Sequence, residues 1–124
     1  GYDLGSISIE ALGPRRRYAA RNDGSVVLWV EATRTLLLAG DIGEVAQREL
    51  PPLEPDIVLV PHHGSASTDR TWLAATVGSI AVISVGPNTY GHPAPEIVAT
   101  LVGGGTEVVT TSGEGDISID LGSE

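Results

Sequence analysis

Asp56-Ile57-Val58-Leu59-Val60-Pro61-His62-His63-Gly64-Ser65 is the stretch on which the fold turns. Four consecutive apolar residues, three of them β-branched, read as a strand buried on both faces. Pro61 cannot continue a hydrogen-bonded ladder, so the strand ends there and the chain leaves the sheet. Two histidines and a glycine follow at once. Loops at the carboxyl ends of buried strands are where open α/β sheets hold ligands. An upstream stretch has the same form: Thr35-Leu36-Leu37-Leu38-Ala39-Gly40-Asp41 is an apolar strand ending in Gly-Asp. A strand leading to aspartate, then one leading to two histidines, forms the chemical skeleton of the chain.

The 124 residues suit one domain, 1–124, large enough for its own core, and 41% apolar content argues against global disorder. No apolar run is long enough to span a membrane. There is no cysteine, which excludes disulfides and thiolate metal ligands. There is also no methionine, so Gly1 is not a translation start and a longer parent polypeptide is expected. A net charge of −9 argues against a nucleic-acid-binding surface over the whole molecule. The positive charge is unevenly placed, however. Arg15, Arg16, Arg17 and Arg21 hold four of the seven cations, as a solvated loop or as a phosphate-steering patch.

Around this skeleton the remaining elements follow. Ser6 to Leu12 alternates and predicts a half-buried strand, ended by Gly13-Pro14. Asn22-Asp23-Gly24-Ser25 is a turn, Ser25 to Glu31 a strand, and Ala32 to Arg34 a hairpin connection into the strand Thr35 to Gly40. A helix is expected from Gly43 to Leu50. Asp41 is either its N-cap, with Glu44 completing a capping box, or a metal ligand at a strand end. Asp69 predicts the cap of a helix carrying Trp72 and Leu73. Ser79 to Val85 is another buried strand, and its long loop carries His92. Pro95 opens a helix to Val102, ended by Gly103-Gly104-Gly105. Two last strands are expected, Thr106 to Thr110 and Asp116 to Leu121, joined through Ser112-Gly113-Glu114-Gly115. The order predicts an α/β domain with helices over a mixed sheet.

Asp41, His62, His63 and His92 each follow an apolar strand, so one end of the sheet can gather them. Carboxylate and imidazole together suit zinc, or manganese or iron. Ser65 lies too close along the chain to His63 to make a catalytic triad with it. No phosphate-cradling glycine motif precedes a helix.

Four ordered motifs carry a resemblance: Leu36-Leu37-Leu38-Ala39-Gly40-Asp41; Val58-Leu59-Val60-Pro61-His62-His63-Gly64-Ser65; Ala81-Val82-Ile83-Ser84-Val85-Gly86; and Tyr90-Gly91-His92-Pro93-Ala94-Pro95-Glu96. In this order they resemble the metallo-β-lactamase-like domain of the ComEC family, bacterial competence proteins for DNA internalisation. Asn22-Asp23-Gly24-Ser25-Val26-Val27-Leu28 also resembles a turn and strand of that family, with Gly24 where a second Asn is usual.

The resemblance implies a metal-dependent phosphodiesterase or nuclease acting on imported DNA. It implies a divalent metal, zinc or manganese, with Asp41 as the bridging acidic ligand. His63, directly before Gly64, is the favoured histidine ligand with His62 beside it, or the reverse. His92 and His62 are the catalytic candidates; His92 would hold the scissile phosphate or protonate the leaving oxygen. Arg15, Arg16, Arg17, Asn22 and Ser65 are the substrate-binding candidates. The family's upstream His-x-His-x-Asp-His stretch is absent from this chain, which therefore resembles the second half of a two-fold αββα sandwich. The partners implied are DNA, the upstream half of the same domain and, for the fragment alone, a second copy. The location implied is a soluble domain on the extracytoplasmic side of a bacterial inner-membrane protein. Two other readings stand beside this one: a catalytically incomplete binding or structural module, and a hydrolase of small phosphodiesters of the phosphorylcholine-esterase kind.

Overall fold

The structure is a computed structural model and describes residues 2–4, 7–51, 53–86, 88, 91–115, 117–119 and 121. It is an α/β domain, as the order of elements predicts, built on one mixed sheet. The seven strands are β1 (Tyr2–Leu4), β2 (Ile7–Gly13), β3 (Val27–Glu31), β4 (Thr35–Leu38), β5 (Ile57–Leu59), β6 (Ile80–Ile83) and β7 (Glu107–Thr110). They lie in the sheet in the order in which they occur in the chain. β1 to β4 pair antiparallel, and β4 to β7 pair parallel.

Parallel neighbours need crossovers, and three helices supply them: α1 (Glu44–Glu49), α2 (Arg70–Thr76) and α3 (Pro95–Gly103). Right-handed crossovers that always advance in one direction place every helix on the same side of the sheet. The core accordingly forms on one face only. Leu37, Ala39, Val58, Val60, Ala81, Ile83 and Val85 pack against Ala46, Leu73, Ile97 and Leu101 of the helices. The register of β4 on β5 is pinned at its start, where the Asp56 carboxylate accepts from Thr35 N (2.8 Å) and Thr35 Oγ1 (3.1 Å).

The other face is apolar too. The alternate residues Leu36, Leu38, Ile57, Leu59 and Val82 point there, with Leu28 and Val30 beside Leu38 and Leu36 in register. Sequence reading makes these strands buried on both faces, yet among the described residues no helix covers this side. A C-terminal segment lies over it instead. Ile117, Ile119 and Leu121 line, with the sheet, a cavity of about 550 Å³, and Leu121 O accepts from Arg34 N (2.9 Å).

That segment corrects one expectation. Of the strand predicted from Asp116 to Leu121, residues 117–119 and 121 are described and none is in a strand; Asp116 and Asp120 lie outside the described residues. The preceding turn is also different, because α4 (Thr111–Glu114) follows β7 directly, capped by Thr110 Oγ1 accepting from Gly113 N (3.2 Å). Thr111 is held by reciprocal bonds with the backbone of Val85 (2.8 and 3.0 Å), so the chain turns across the end of β6 rather than back along β7. The two-residue alternation of Ile117, Ile119 and Leu121 serves to lay a segment on the sheet face. Among the described residues no helix is long and apolar enough to cross a membrane.

Candidate metal centre

Because β4, β5 and β6 run parallel, their carboxyl ends coincide, and the loops leaving them carry Asp41, His62-His63 and His92 to one edge of the sheet.

After β4 the chain turns at Gly40 with φ of 61°, where a side chain would lie 2.9 Å from Ser25 Cβ. Only glycine permits so close an approach. Ser25 Oγ then accepts from Asp41 N (3.2 Å) and donates to Asn22 O (2.8 Å), tying the Asn22 turn to the Asp41 turn. Asp41 is not the cap of α1. The N-cap is Gly43, and the carboxylate that bonds the helix start belongs to Asp23, 4% exposed, whose Oδ1 accepts from Gly43 N (2.7 Å) and Ala46 N (3.3 Å). Capping by a residue twenty positions away leaves Asp41 half exposed and facing the histidines.

Pro61–Gly64 forms a single 3₁₀-like turn in which both histidines are left-handed, His62 at φ 52°, ψ 42° and His63 at φ 57°, ψ 27°. For residues with a Cβ this costs roughly 1–2 kcal/mol each, and such strain concentrates at functional sites. The turn is held by His62 N donating to Gly40 O (2.9 Å) and Ser65 N to His62 O (3.0 Å).

The turn points the two rings differently. His63 Nδ1 lies 2.6 Å from Ser84 O. A carbonyl only accepts, so Nδ1 carries a proton, and in the neutral imidazole Nε2 is then the nitrogen with the lone pair. A backbone carbonyl on the second nitrogen is the usual arrangement of a metal-ligating histidine. His63 Nε2 is 3.9 Å from Asp41 Oδ1. That is longer than a hydrogen bond and somewhat longer than the roughly 3.4 Å between two donors of one tetrahedral zinc, so sharing an ion takes a small side-chain rotation. His62 Nε2 instead lies 3.4 Å from the Asn22 side-chain nitrogen.

His92 closes the cluster. Its ring centroid is 5.5 Å from that of His62, and it stacks on His63 at 6.3 Å. Burial, then the neighbouring imidazoles, hold its pKa below the ordinary histidine value, so the ring is neutral at pH 7. Its loop docks on the histidine turn, since Ala94 N donates to Gly64 O (2.8 Å). Gly64 has φ of 77°, and a Cβ there would meet Pro93 Cβ at 2.8 Å, so the two loops touch backbone to ring.

The substrate-binding candidates separate. Asn22 lines a groove of about 420 Å³ together with Glu44, Val45, His62 and Ser67. Ser65 is buried and its hydroxyl lies 2.9 Å from Ser67 Oγ, which closes the loop. Arg16 bonds Glu49 (Nη2 to Oε2, 2.7 Å), donates to Arg17 O and lies 4.2 Å over the Tyr18 ring. Tyr18 also donates to Glu49 Oε1 (2.8 Å). Arg16 first and Tyr18 second hold the Glu49 pKa below its usual value. Arg16 thus ties its loop to α1, while Arg15 and Arg17 stand exposed.

Asp41 and His63 fit a divalent cation as donors: one is an anionic oxygen with no helix to cap, the other an oriented nitrogen with a free lone pair. Two donors are half of a tetrahedral shell. Among the described residues, no group of three histidine, aspartate or glutamate side chains is arranged to hold one ion. Comparison with protein families, with curated proteins and with solved structures found no match to the chain.

Proposed function

We propose that this chain is the second half of a metallo-β-lactamase-like hydrolase domain of the ComEC kind, cleaving phosphodiester bonds of DNA during import. The observation that carries the reading is the pair at the ends of β4 and β5. Asp41 is released from helix capping, and His63 is oriented by Ser84 O so that its Nε2 faces that carboxylate. The apolar second face of the sheet supports the same reading, because a sandwich needs a second sheet on that side.

Asp41 and His63 would hold part of a divalent metal site, the rest coming from the upstream half of the domain. When bound, the metal supplies a lowered water pKa and charge neutralisation at phosphate. His92, neutral and beside both other rings, donates an N–H to a phosphate oxygen; this role suits its lowered pKa better than proton donation. His62 lies against Asn22 and borders the groove, where it would contact the strand being cut. Arg15 and Arg17 steer the phosphate backbone, and Arg16 braces their loop. The location proposed is the extracytoplasmic face of a bacterial inner-membrane protein.

The test uses the longer polypeptide that includes the upstream half. Asp41→Ala and His63→Ala should abolish hydrolysis of a DNA substrate and lower metal content while leaving the far-UV circular dichroism unchanged. Wild-type metal content and rate in either variant would overturn the assignment. Hydrolysis of a small phosphodiester but not of DNA would move the substrate to the phosphorylcholine-esterase class. The incompleteness of the donor set favours a second reading, a module that packs on a partner and performs no chemistry. In that case metal-dependent hydrolysis stays absent when the upstream half is present.

A further inference from the structure

His92 follows β6 by nine residues, on a loop that leaves the sheet at Ser84 and enters α3 at Pro95. One side chain within it bonds both backbone polar groups of His92. Asn88 Oδ1 accepts from His92 N (3.1 Å), and Asn88 Nδ2 donates to His92 O (2.8 Å). The same Nδ2 donates to Gly86 O (2.9 Å), where the chain has just left β6. One amide therefore fastens His92 to the strand end whose Ser84 carbonyl orients His63.

We infer that Asn88 is the positioning residue that delivers the His92 imidazole to the His62–His63 pair. Whether that placement serves a reaction rests on the function proposed above. An asparagine is needed because the clamp uses an acceptor and donors within one planar group. Aspartate keeps the acceptor and loses both donations, and alanine loses all three. Asn88 is solvent-exposed, so each bond is offset by water and contributes about 1 kcal/mol or less. A separate anchor, Ala94 N to Gly64 O, holds the downstream end of the loop without it. The clamp is accordingly placed to set a ring position rather than to hold the fold.

The chain has three histidines, so histidine-labelled protein shows three imidazole environments that single His→Gln variants assign. In Asn88→Ala the nuclear Overhauser contact between the His92 and His62 rings should disappear and the His92 signals should shift. The His63 ring signals should shift only by the loss of the stacked His92 ring, with the Nδ1 bond to Ser84 O kept, and the melting temperature should stay as in the wild type. Asn88→Asp should give an intermediate displacement. Retained His92–His62 contacts in Asn88→Ala would overturn the inference. So would a loss of all three signals together with the melting transition, which would make Asn88 an ordinary structural residue. In the longer polypeptide, displacement of a reacting group by about 1 Å lowers kcat roughly 100-fold, with KM little changed. A wild-type kcat beside a displaced ring leaves Asn88 as the positioning residue and overturns the role given to His92 in hydrolysis.

Discussion

Two aspartates exchange the roles their neighbours in sequence suggest. Asp41 stands where a helix cap belongs and Asp23 lies in a turn, yet it is Asp23 that bonds the start of α1. Asp23→Ala should therefore lower unfolding stability by about 1–2 kcal/mol, the upper range for a lost cap. Asp41→Ala, at a half-exposed side chain outside the core, should change it by less than about 0.5 kcal/mol. Denaturant midpoints of the two variants check this, and the reverse ranking would return the cap to Asp41. Gly64 is the other position where one residue decides local structure. Gly64→Ala meets both the left-handed backbone, costing roughly 1–2 kcal/mol, and the ring of Pro93. It should destabilise the chain and also separate the His92 loop from the histidine turn, visible as loss of the same imidazole contacts.

At the scale of elements, α1 and α2 are joined through buried and charged groups rather than through apolar packing alone. Gln47, fully buried, donates to Ile42 O (2.8 Å) and accepts from Asp69 N (2.8 Å). Asp69 caps α2 by accepting from Trp72 N (3.1 Å) and takes a 2.6 Å bond from Arg48. Arg48 first, and the Trp72 amide next, hold the Asp69 pKa below its usual value. A carboxylate with a depressed folded pKa stabilises the native state above its unfolded pKa, about 3.9. That contribution is lost as pH falls from there through the folded value. Arg48→Ala should therefore lower stability at neutral pH, modestly because the arginine end of the pair is exposed, and flatten its fall in that acid window, so that the two curves converge at low pH. Thermal melts at stepped pH measure it, and parallel curves for the variant and the wild type would remove Asp69 as a contributor.

For the whole molecule, the decisive feature is that all three crossover helices lie on one side while both faces of the sheet are apolar. The C-terminal segment covers part of the second face but leaves a cavity of about 550 Å³ beneath it. Leu36, Leu38, Leu59 and Val82 on this face stay only partly covered, and incompletely covered apolar faces mark association surfaces. The chain on its own should self-associate through this face, and Leu38→Lys combined with Val82→Lys should shift it toward monomer with the helix-side core intact. Sedimentation velocity across a concentration series checks this. A wild-type chain that stays monomeric would show that the C-terminal segment is sufficient cover.

Much of this was legible in the chain itself. The apolar runs ending at Leu38, Val60 and Val85 determined the parallel strands, because buried strands of that class carry little else. Pro61, Pro95 and the Asp69 cap set where strands end and helices begin through local backbone chemistry. Parallel pairing then implied that Asp41, His62, His63 and His92 share one edge. Other features came only from contacts between residues far apart in sequence. The cap on α1 comes from Asp23, and the bare nitrogen of His63 follows from Ser84 O, 21 residues away. The alternation of Ile117, Ile119 and Leu121 suits a strand or a segment laid on a sheet face equally well. Periodicity reports which side of a segment is apolar and not what lies against it, so only the tertiary structure decided that they cross the open face.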